Sequence, residues 1–557
     1  MTPYDVAIIG SGIGGSTLAA ILARAGKSVL LLEAGSHPRF AIGESVVPEF
    51  GARARLLAAA YDLPELAHIA EFQSLRHHVS ANSGVKRNFS FLHHTPGRVV
   101  RDEHSFQFRT MTYPLGPDSH VYRPDLDHWL TAVAISRGAV YRERSPVQGI
   151  AVDADGVTIE TPSDRHRASF VVDGSGHRSV LAARGEVTQR VDSRSIFTHM
   201  VGVRRQPRGD LPSPPDQGTL HHLFDGGWFW VIPFDNHSAA VNPVCSVGLT
   251  LDRSKHPDND LGAEEEFFSF VERFPTVADQ FQSARPVRSW VKTGRLQYRS
   301  PSITGDRWCL LPHAAGFVDP LFSGGMTMTL IGVDEVARRI LATGSARLDG
   351  EESLEDCSGA NLDVADRMVH GAYLAFRAPE LFNAWFRVWA VGNFHASAGL
   401  ARLVLKHLRT GDREHLEARH DAPHRRILGA GHPRLRGLFE EAHSIIGELD
   451  GTTVEDQQVA EVAGRLFRLL GDQSWIPPQF RVADPDRRHL ASFTAFRLSG
   501  IILWGKRRAP EDMRELYYDV GPNFYWELTK ALGREAARSL SAFRRVVTDA
   551  HTSRGRA

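Results

Sequence analysis

Apolar and polar positions along this chain follow three successive patterns. Asp5-Val6-Ala7-Ile8-Ile9 reads as a short buried strand, residues 16–25 as a small-residue helix stopped by Gly26, and Ser28-Val29-Leu30-Leu31-Leu32-Glu33 as a second buried strand closed by an acid. Between about 76 and 290, short apolar runs bounded by turns predict strands, among them 238–251 with Cys245 and Val247. In Gly227-Trp228-Phe229-Trp230-Val231-Ile232-Pro233 the period of two places both tryptophans on one face, an aromatic wall. Residues 206–215 are a proline-rich surface loop. From 346 to 557 amphipathic helices dominate, such as 400–407 and 460–470, interrupted at Pro477-Pro478 and Asp484-Pro485. No tandem repeat is visible, and the tail 553–557 is expected to fray.

The first two strands flank Gly10-Ser11-Gly12-Ile13-Gly14-Gly15. In a strand–loop–helix–strand unit, Gly10 permits the tight turn, Gly12 lets the backbone approach a pyrophosphate, and Gly15 lets helix and strand pack closely. Amides at the helix start face phosphates, and Glu33 stands where a carboxylate accepts ribose hydroxyls. The pattern predicts dinucleotide binding; the alternative is a glycine-rich turn in an unrelated α/β domain.

Composition narrows the class. The 557 residues, 42% hydrophobic and 23% charged, describe an ordinary globular chain with room for several cores. A net charge of zero favours neither nucleic acid nor an anionic membrane. Three cysteines without a CxxC pair argue against a disulfide framework or structural zinc and fit a reducing cytoplasm. No basic leader precedes the first strand, and Gly500-Ile501-Ile502-Leu503-Trp504 is too short to span a bilayer, so a cytoplasmic protein is expected. The adjacent pairs His77-His78, His93-His94 and His221-His222 lack metal-ligand spacing, and Ser179 and Ser323 lack a nucleophile-elbow context.

Three later blocks select the dinucleotide. The block 121–127, with Arg123-Pro124-Asp125, precedes an apolar helix through Trp129, Leu130, Val133 and Ala134. Asp173-Gly174 ends a strand, and Pro312-His313-Ala314-Ala315-Gly316 leads to Asp319-Pro320. In this order they resemble the FAD-contacting motifs of the p-hydroxybenzoate hydroxylase-like flavoproteins. The resemblance implies an α/β, Rossmann-type FAD-binding fold with a β-rich substrate layer and a helical C-terminal region. The expected division is 1–345 for the FAD-binding domain, interleaved with a substrate layer at about 76–99 and 191–289, and 346–557 for a helical domain. A second glycine loop is not visible: Gly429-Ala430-Gly431 is followed by Pro433, which cannot continue such a helix. FADH2 from a separate NAD(P)H-flavin reductase is one expectation; the alternative is NADPH binding without a dedicated domain, as in related hydroxylases.

The likeness narrows at His37-Pro38-Arg39-Phe40, Gly43-Glu44-Ser45, the Trp228-x-Trp230-x-Ile232-Pro233 motif and Asp319–Gly325 as a loop. These resemble the flavin-dependent halogenases, closest to their phenolic branch; Gly84-Val85-Lys86 followed by Phe89-Ser90-Phe91 adds to it. What the resemblance implies is FADH2-dependent chlorination or bromination of a small, electron-rich phenol in secondary-metabolite biosynthesis, by a monomer or homodimer. O2 and the reduced flavin give a C4a-hydroperoxide, halide attacks it, and hypohalous acid travels to Lys86. The tryptophan wall would separate flavin from substrate. The implied cofactor contacts are Gly10, Gly12, Ile13, Gly14, Gly15, Glu33, Arg39, Glu44, Ser45, Arg123, Asp173, Gly174, His313, Gly316 and Asp319. Backbone amides of Ser323, Gly324 and Gly325, just before a helix expected near Thr327, suit the halide.

Lys86 suits the task because an amine can be neutral to attack a halogen or charged to polarise it, which arginine cannot. Strand alternation would put Lys86 with Asn88 and Ser90, opposite Val85, Phe89 and Phe91. The stretch by itself favours a solvent-facing polar edge; its motif context favours catalysis. Two positions depart from the family. Phe322 replaces the glutamate of tryptophan halogenases, a loss that a phenol tolerates better than an indole, and His313 replaces an FAD-contacting aspartate, which suits an exchangeable flavin. Glu44 and Glu49 are further general-base candidates, with a surface or structural role favoured for Glu49. The remaining alternatives are an FAD-dependent aromatic hydroxylase or epoxidase, and a non-catalytic binding protein like the GDP-dissociation inhibitors.

Overall fold

A computed structural model of the chain describes residues 3–110, 115–182, 189–345, 352–451, 455–490, 495–521 and 526; the tail expected to fray lies outside them. Two sheets organise it. The first runs through strands Tyr4–Ile9, Val29–Leu32, Val140–Arg142, Arg165–Asp173 and Trp308–Leu310, all parallel, with an antiparallel flank at Gly149–Asp153 and Gly156–Glu160. Leu30, Leu31 and Leu32 are all fully buried, which explains their unbroken apolar run: a parallel sheet is covered on both faces. Helices Ile13–Arg24 and Gly325–Thr343 share one apolar cluster with this sheet through Leu18, Leu22, Leu330 and Val333. The second helix starts at Gly325, two residues before its expected position.

The second sheet is mostly antiparallel and has nine strands. Ser193–Val201, Cys245–Asp252, Gly227–Pro233, Thr219–Phe224, Asn88–His93, Ser105–Arg109 and His489–Leu490 are successive neighbours. Its two faces confirm the period of two. Phe229 and Val231 pack with Phe267, Phe270 and Phe274 beneath the sheet, while Trp228 and Trp230 enter a different cluster above it. The sheet also takes in 105–109 and 489–490, which lie outside the ranges expected for the substrate layer.

The upper cluster is continuous with the C-terminal helices Leu354–Ala375, Pro379–Thr410, Pro433–Gly447 and Asp456–Gly471. The helices expected at 400–407 and 460–470 are parts of the second and fourth of these. Phe89 meets Trp389 edge-on at 4.8 Å, so sheet and helices share one core. Among the described residues no helix is long and apolar enough to cross a membrane.

One local expectation fails. Arg87 interrupts the strand: Gly84–Lys86 pairs with Asp118–His120 in a separate ribbon, and only Asn88–His93 joins the large sheet. Alternation therefore does not run through 85–91, and Lys86 turns onto the ring of Phe89. The solvent-facing edge is also excluded, since Lys86 is 0% exposed.

Candidate active site

The glycine loop forms a cradle with steric reasons for each key glycine. Gly10 has φ +91°, and a Cβ there would lie 2.8 Å from the Ser175 Cα. At Gly15 it would lie 1.9 Å from the Gly10 carbonyl oxygen, whereas over Gly12 the nearest protein atom is 3.8 Å away. Gly12 caps the helix without a side-chain bond, leaving amides at its start for an anion. Gly14 is a packing position, 3.0 Å from Thr329 by the same construction. The shape fits a dinucleotide: closed where helix and strand meet, open at Gly12, with Ile13 beginning the helix.

Glu33 closes the cradle. It accepts from the amide and hydroxyl of Ser11 at 3.0 and 2.8 Å, the Gly35 amide at 3.0 Å and Arg39 at 3.1 Å. Burial pushes its pKa up, but the Gly35 and Ser11 amides and Arg39 outweigh this and bring it to about 2. Arg123 forms a bidentate pair with Asp127 at 2.8 and 2.9 Å and donates to the carbonyls of Ile42 and Gly43. The Asp173 carboxylate is engaged inside its own turn, accepting from Ser175, Ser179, Val180 and Leu181. The block thus offers no free carboxylate, and Gly174 packs against the glycine loop, where a Cβ would lie 3.1 Å from Leu311 and 3.5 Å from the Gly15 amide nitrogen. Gly316 is tightly packed, with a Cβ there 2.8 Å from Leu362.

The second glycine turn faces a cleft lined by His313, Phe322, Gly324, Gly325, Met368 and Trp389 among others. Ser323 adopts φ +55°, Gly324 precedes the helix without a side-chain cap, and a Cβ on Gly324 would meet nothing within 4 Å. This is an open backbone corner at the positive end of a 19-residue helix. Phe322 stacks on Trp389 at 5.0 Å, closing the corner with carbon. Burial, reinforced by Arg123, depresses His313 to about 4, so its ring is neutral near pH 7 and lies against Gly325. Asp319 accepts from Ser193 at 3.0 Å, Tyr373 at 2.9 Å and the Leu321 amide at 3.0 Å, and burial raises it to about 6.

Lys86 is not among the residues that line the cleft but is tied to its glycine turn through Ser45. Its Nζ donates to Ser45 Oγ at 2.7 Å and to the Val46 carbonyl at 2.8 Å, and sits 3.4 Å from the Phe89 ring centroid. Ser323 Oγ donates to the same Ser45 Oγ at 3.1 Å, so one hydroxyl joins the lysine to the glycine turn. Burial depresses the ammonium well below its ordinary value, and Asp118, its partner across the ribbon, opposes that shift. Asp118 is itself raised to about 8 by burial. Trp228 and Trp230 lie 5.7 Å apart in the same cluster as Phe89 and Phe322, and Ile232 belongs to it. Trp230 covers Gly248 so closely that a Cβ there would be 2.1 Å from its ring.

Two of the carboxylate candidates have partners that their sequence context does not reveal, and other residues near the lysine carry no sequence signal. Glu44, an expected cofactor contact, is buried and pairs with His199 at 2.7 Å. Glu49 is 1% exposed, which excludes a surface role and agrees with a structural one; it pairs with buried Arg53 at 2.7 Å and borders the cleft. Asp118, His120 and Thr219 surround Ser45 and Lys86, yet nothing in their spacing marks them. The C-terminal helices contribute Met368 and Trp389 to the cleft, as their unbroken apolar faces allowed.

Fold and site define a Rossmann-type flavoprotein oxidoreductase. Residues 8–70 match the NAD(P)-binding Rossmann-like domain, and residues 86–375 match the tryptophan halogenase family. The chain is 36% identical to the monodechloroaminopyrrolnitrin halogenase PrnC of Pseudomonas fluorescens over 550 residues, covering 94% of each chain. It is also 36% identical to the tetracycline 7-halogenase of Kitasatospora aureofaciens, covering 92% of this chain and 95% of that one. The crystal structure of halogenase PltM with phloroglucinol and FAD superposes with a TM-score of 0.82 at 30% identity, over 87% of this chain and 99% of that one. The chain belongs to the tryptophan halogenase family and is an FADH2-dependent halogenase of secondary metabolism. The hydroxylase and the non-catalytic alternatives are thereby set aside.

Proposed function

We propose that this halogenase chlorinates or brominates an electron-rich phenol, with Lys86 directing hypohalous acid onto the ring. The observation that carries the reading is the Lys86–Ser45–Ser323 linkage: a lysine removed from water, 2.7 Å from a hydroxyl that also holds the glycine turn. The glycine cradle at 10–15, Glu33, Arg39 and Arg123 would hold FAD, with the turn at 323–325 toward its ring. When bound and reduced, the cofactor supplies the electrons with which O2 raises chloride or bromide to hypohalous acid.

The chain's own residues then act on that oxidant. The open amides at Ser323, Gly324 and Gly325 hold the halide, with the helix dipole adding positive potential. Burial favours the amine form of Lys86, and Ser45 and Val46 fix its position, so it meets hypohalous acid from one direction. The aryl carbon takes the halogen, and the ring proton leaves with the hydroxide of the oxidant as water. Phe322 offers no carboxylate for that proton; a phenol stabilises the cationic ring through its own oxygen, which an indole cannot do in the same way. PltM, solved with phloroglucinol, is a neighbour whose ligand is of this class. Trp228 and Trp230 keep substrate and cofactor apart. A separate NAD(P)H-flavin reductase supplies the FADH2, and the enzyme works as a monomer or homodimer.

Incubation with FAD, a flavin reductase, NADH and a panel of phenols and indoles, in chloride or bromide, tests this. Halogenated phenols with the matching isotope pattern are expected. Halogenation confined to indoles would remove the substrate assignment.

A further inference from the structure

Behind Lys86 runs a row of hydrogen bonds that the reaction above leaves unused. The hydroxyls of Ser45 and Thr219 lie 2.8 Å apart, Thr219 Oγ1 meets His120 Nε2 at 3.0 Å, and His120 Nδ1 meets the Pro233 carbonyl at 2.9 Å. Lys86 and His120 are 0% exposed, and Thr219 is 2% exposed.

The chemistry of the groups fixes the direction of every link. A carbonyl only accepts, so His120 carries its proton on Nδ1 and leaves Nε2 as an acceptor. Thr219 must then donate to His120 and accept from Ser45. Ser45, its proton directed away, turns its lone pairs to Lys86 Nζ and Ser323 Oγ. Pro233 is the last residue of the tryptophan motif, so the strand that forms the wall also orients the lysine's partner.

Gly84 gives this arrangement its steric reason. It stands directly opposite His120 in the ribbon, and a Cβ on it would lie 2.4 Å from the Pro233 carbonyl oxygen. Any side chain there would push the carbonyl away from His120.

We propose that Thr219 and His120 are positioning residues that hold Lys86 in register through Ser45, with the Pro233 carbonyl setting the direction of the whole row. This rests on Lys86 directing the oxidant. With the row cut, Ser45 can rotate and donate toward the amine, and only the Val46 carbonyl and the Phe89 ring still hold Nζ. Oxidant then passes the lysine and leaves the site unused.

Thr219→Val keeps shape and removes the hydroxyl. Its KM for the phenol and its rate of FADH2 oxidation should match wild type, while kcat for halogenation falls about ten- to a hundredfold, the scale of a misplaced catalytic group. Free hypohalous acid, trapped by an added scavenger, should rise in proportion. Thr219→Ser should restore kcat to within a few-fold. Independently of turnover, the 15N-histidine difference spectrum between wild type and His120→Gln should show a neutral ring protonated at Nδ1. A wild-type kcat in Thr219→Val while Lys86→Ala is inert would overturn the positioning row alone, as would a proton on Nε2 of His120. Full halogenation by Lys86→Ala would instead overturn the underlying role of the lysine.

Discussion

Lys86 is a cation-forming group with none of its surface exposed, and its environment decides which form it takes. Two oxygen acceptors and an aromatic face hold the Nζ, and the one carboxylate across the ribbon is itself driven toward its protonated form. Lys86→Ala should therefore lower halogenated product by at least about a hundredfold while FADH2 oxidation continues. Lys86→Arg should not rescue it, because a guanidinium stays charged; product counted against flavin oxidised checks both. At position 313 a neutral imidazole stands where relatives are expected to carry a carboxylate. The protein should accordingly lose FAD on gel filtration, and a stoichiometric, retained FAD would contradict an exchangeable cofactor. At this scale the sequence was read unevenly. Glycines 10, 12 and 15 declared themselves because each steric demand has a fixed spacing. Thr219 and His120 did not, since their meeting with Ser45 depends on three chain segments converging.

Among the elements, the Gly227–Pro233 strand is the most constrained. It lies inside the nine-stranded sheet with a tryptophan cluster above and a phenylalanine cluster below. Its neighbour supplies Gly248, over which the Trp230 ring lies. Gly248→Ala must displace that ring, at a cost of about 1–3 kcal/mol for overpacking. A lowered melting temperature with altered tryptophan fluorescence would register it, and an unchanged melt would show that the ring can move freely. Helix Leu354–Ala375 has the same device at Gly371, where a Cβ would lie 2.1 Å from Trp385. The period of two in 227–233 was enough to assign this strand and its faces. It failed at 85–91 because Arg87 ends one pairing before the next begins, and no residue pattern announces a change of partner strand.

Over the whole molecule the buried histidines set the response to acid. Burial holds His93, His222 and His395 at about 4 and His120, His221 and His424 at about 3, against an ordinary value of 6.5. Above pH 6.5 neither the folded nor the unfolded chain protonates them. Below it the unfolded chain takes up protons that the folded one refuses, so stability falls as pH drops from 6.5 toward 4 and 3, by up to about 1.4 kcal/mol per pH unit for each ring. Asp118 and Asp319, raised to about 8 and 6, act in the opposite sense, as do Asp366 and Asp421. But His313, His443 and His489, also at about 4, and His94, held well below its ordinary value, add to the histidine side. Cooperative unfolding near about pH 5 is expected in an acid titration followed by circular dichroism. Native ellipticity retained at pH 4 would refute the dominance of these rings.

The short strand His489–Leu490 completes the edge of the nine-stranded sheet beside Ser105–Arg109. A ribosome making about 5–20 residues per second needs tens of seconds to deliver it after the strand it covers. Throughout that interval the nascent sheet offers an open row of amides and carbonyls to any other extended chain. Recombinant yield should therefore depend on translation speed and chaperone supply more than on the stability of the finished enzyme, and removing the last strand should turn soluble protein into inclusion bodies.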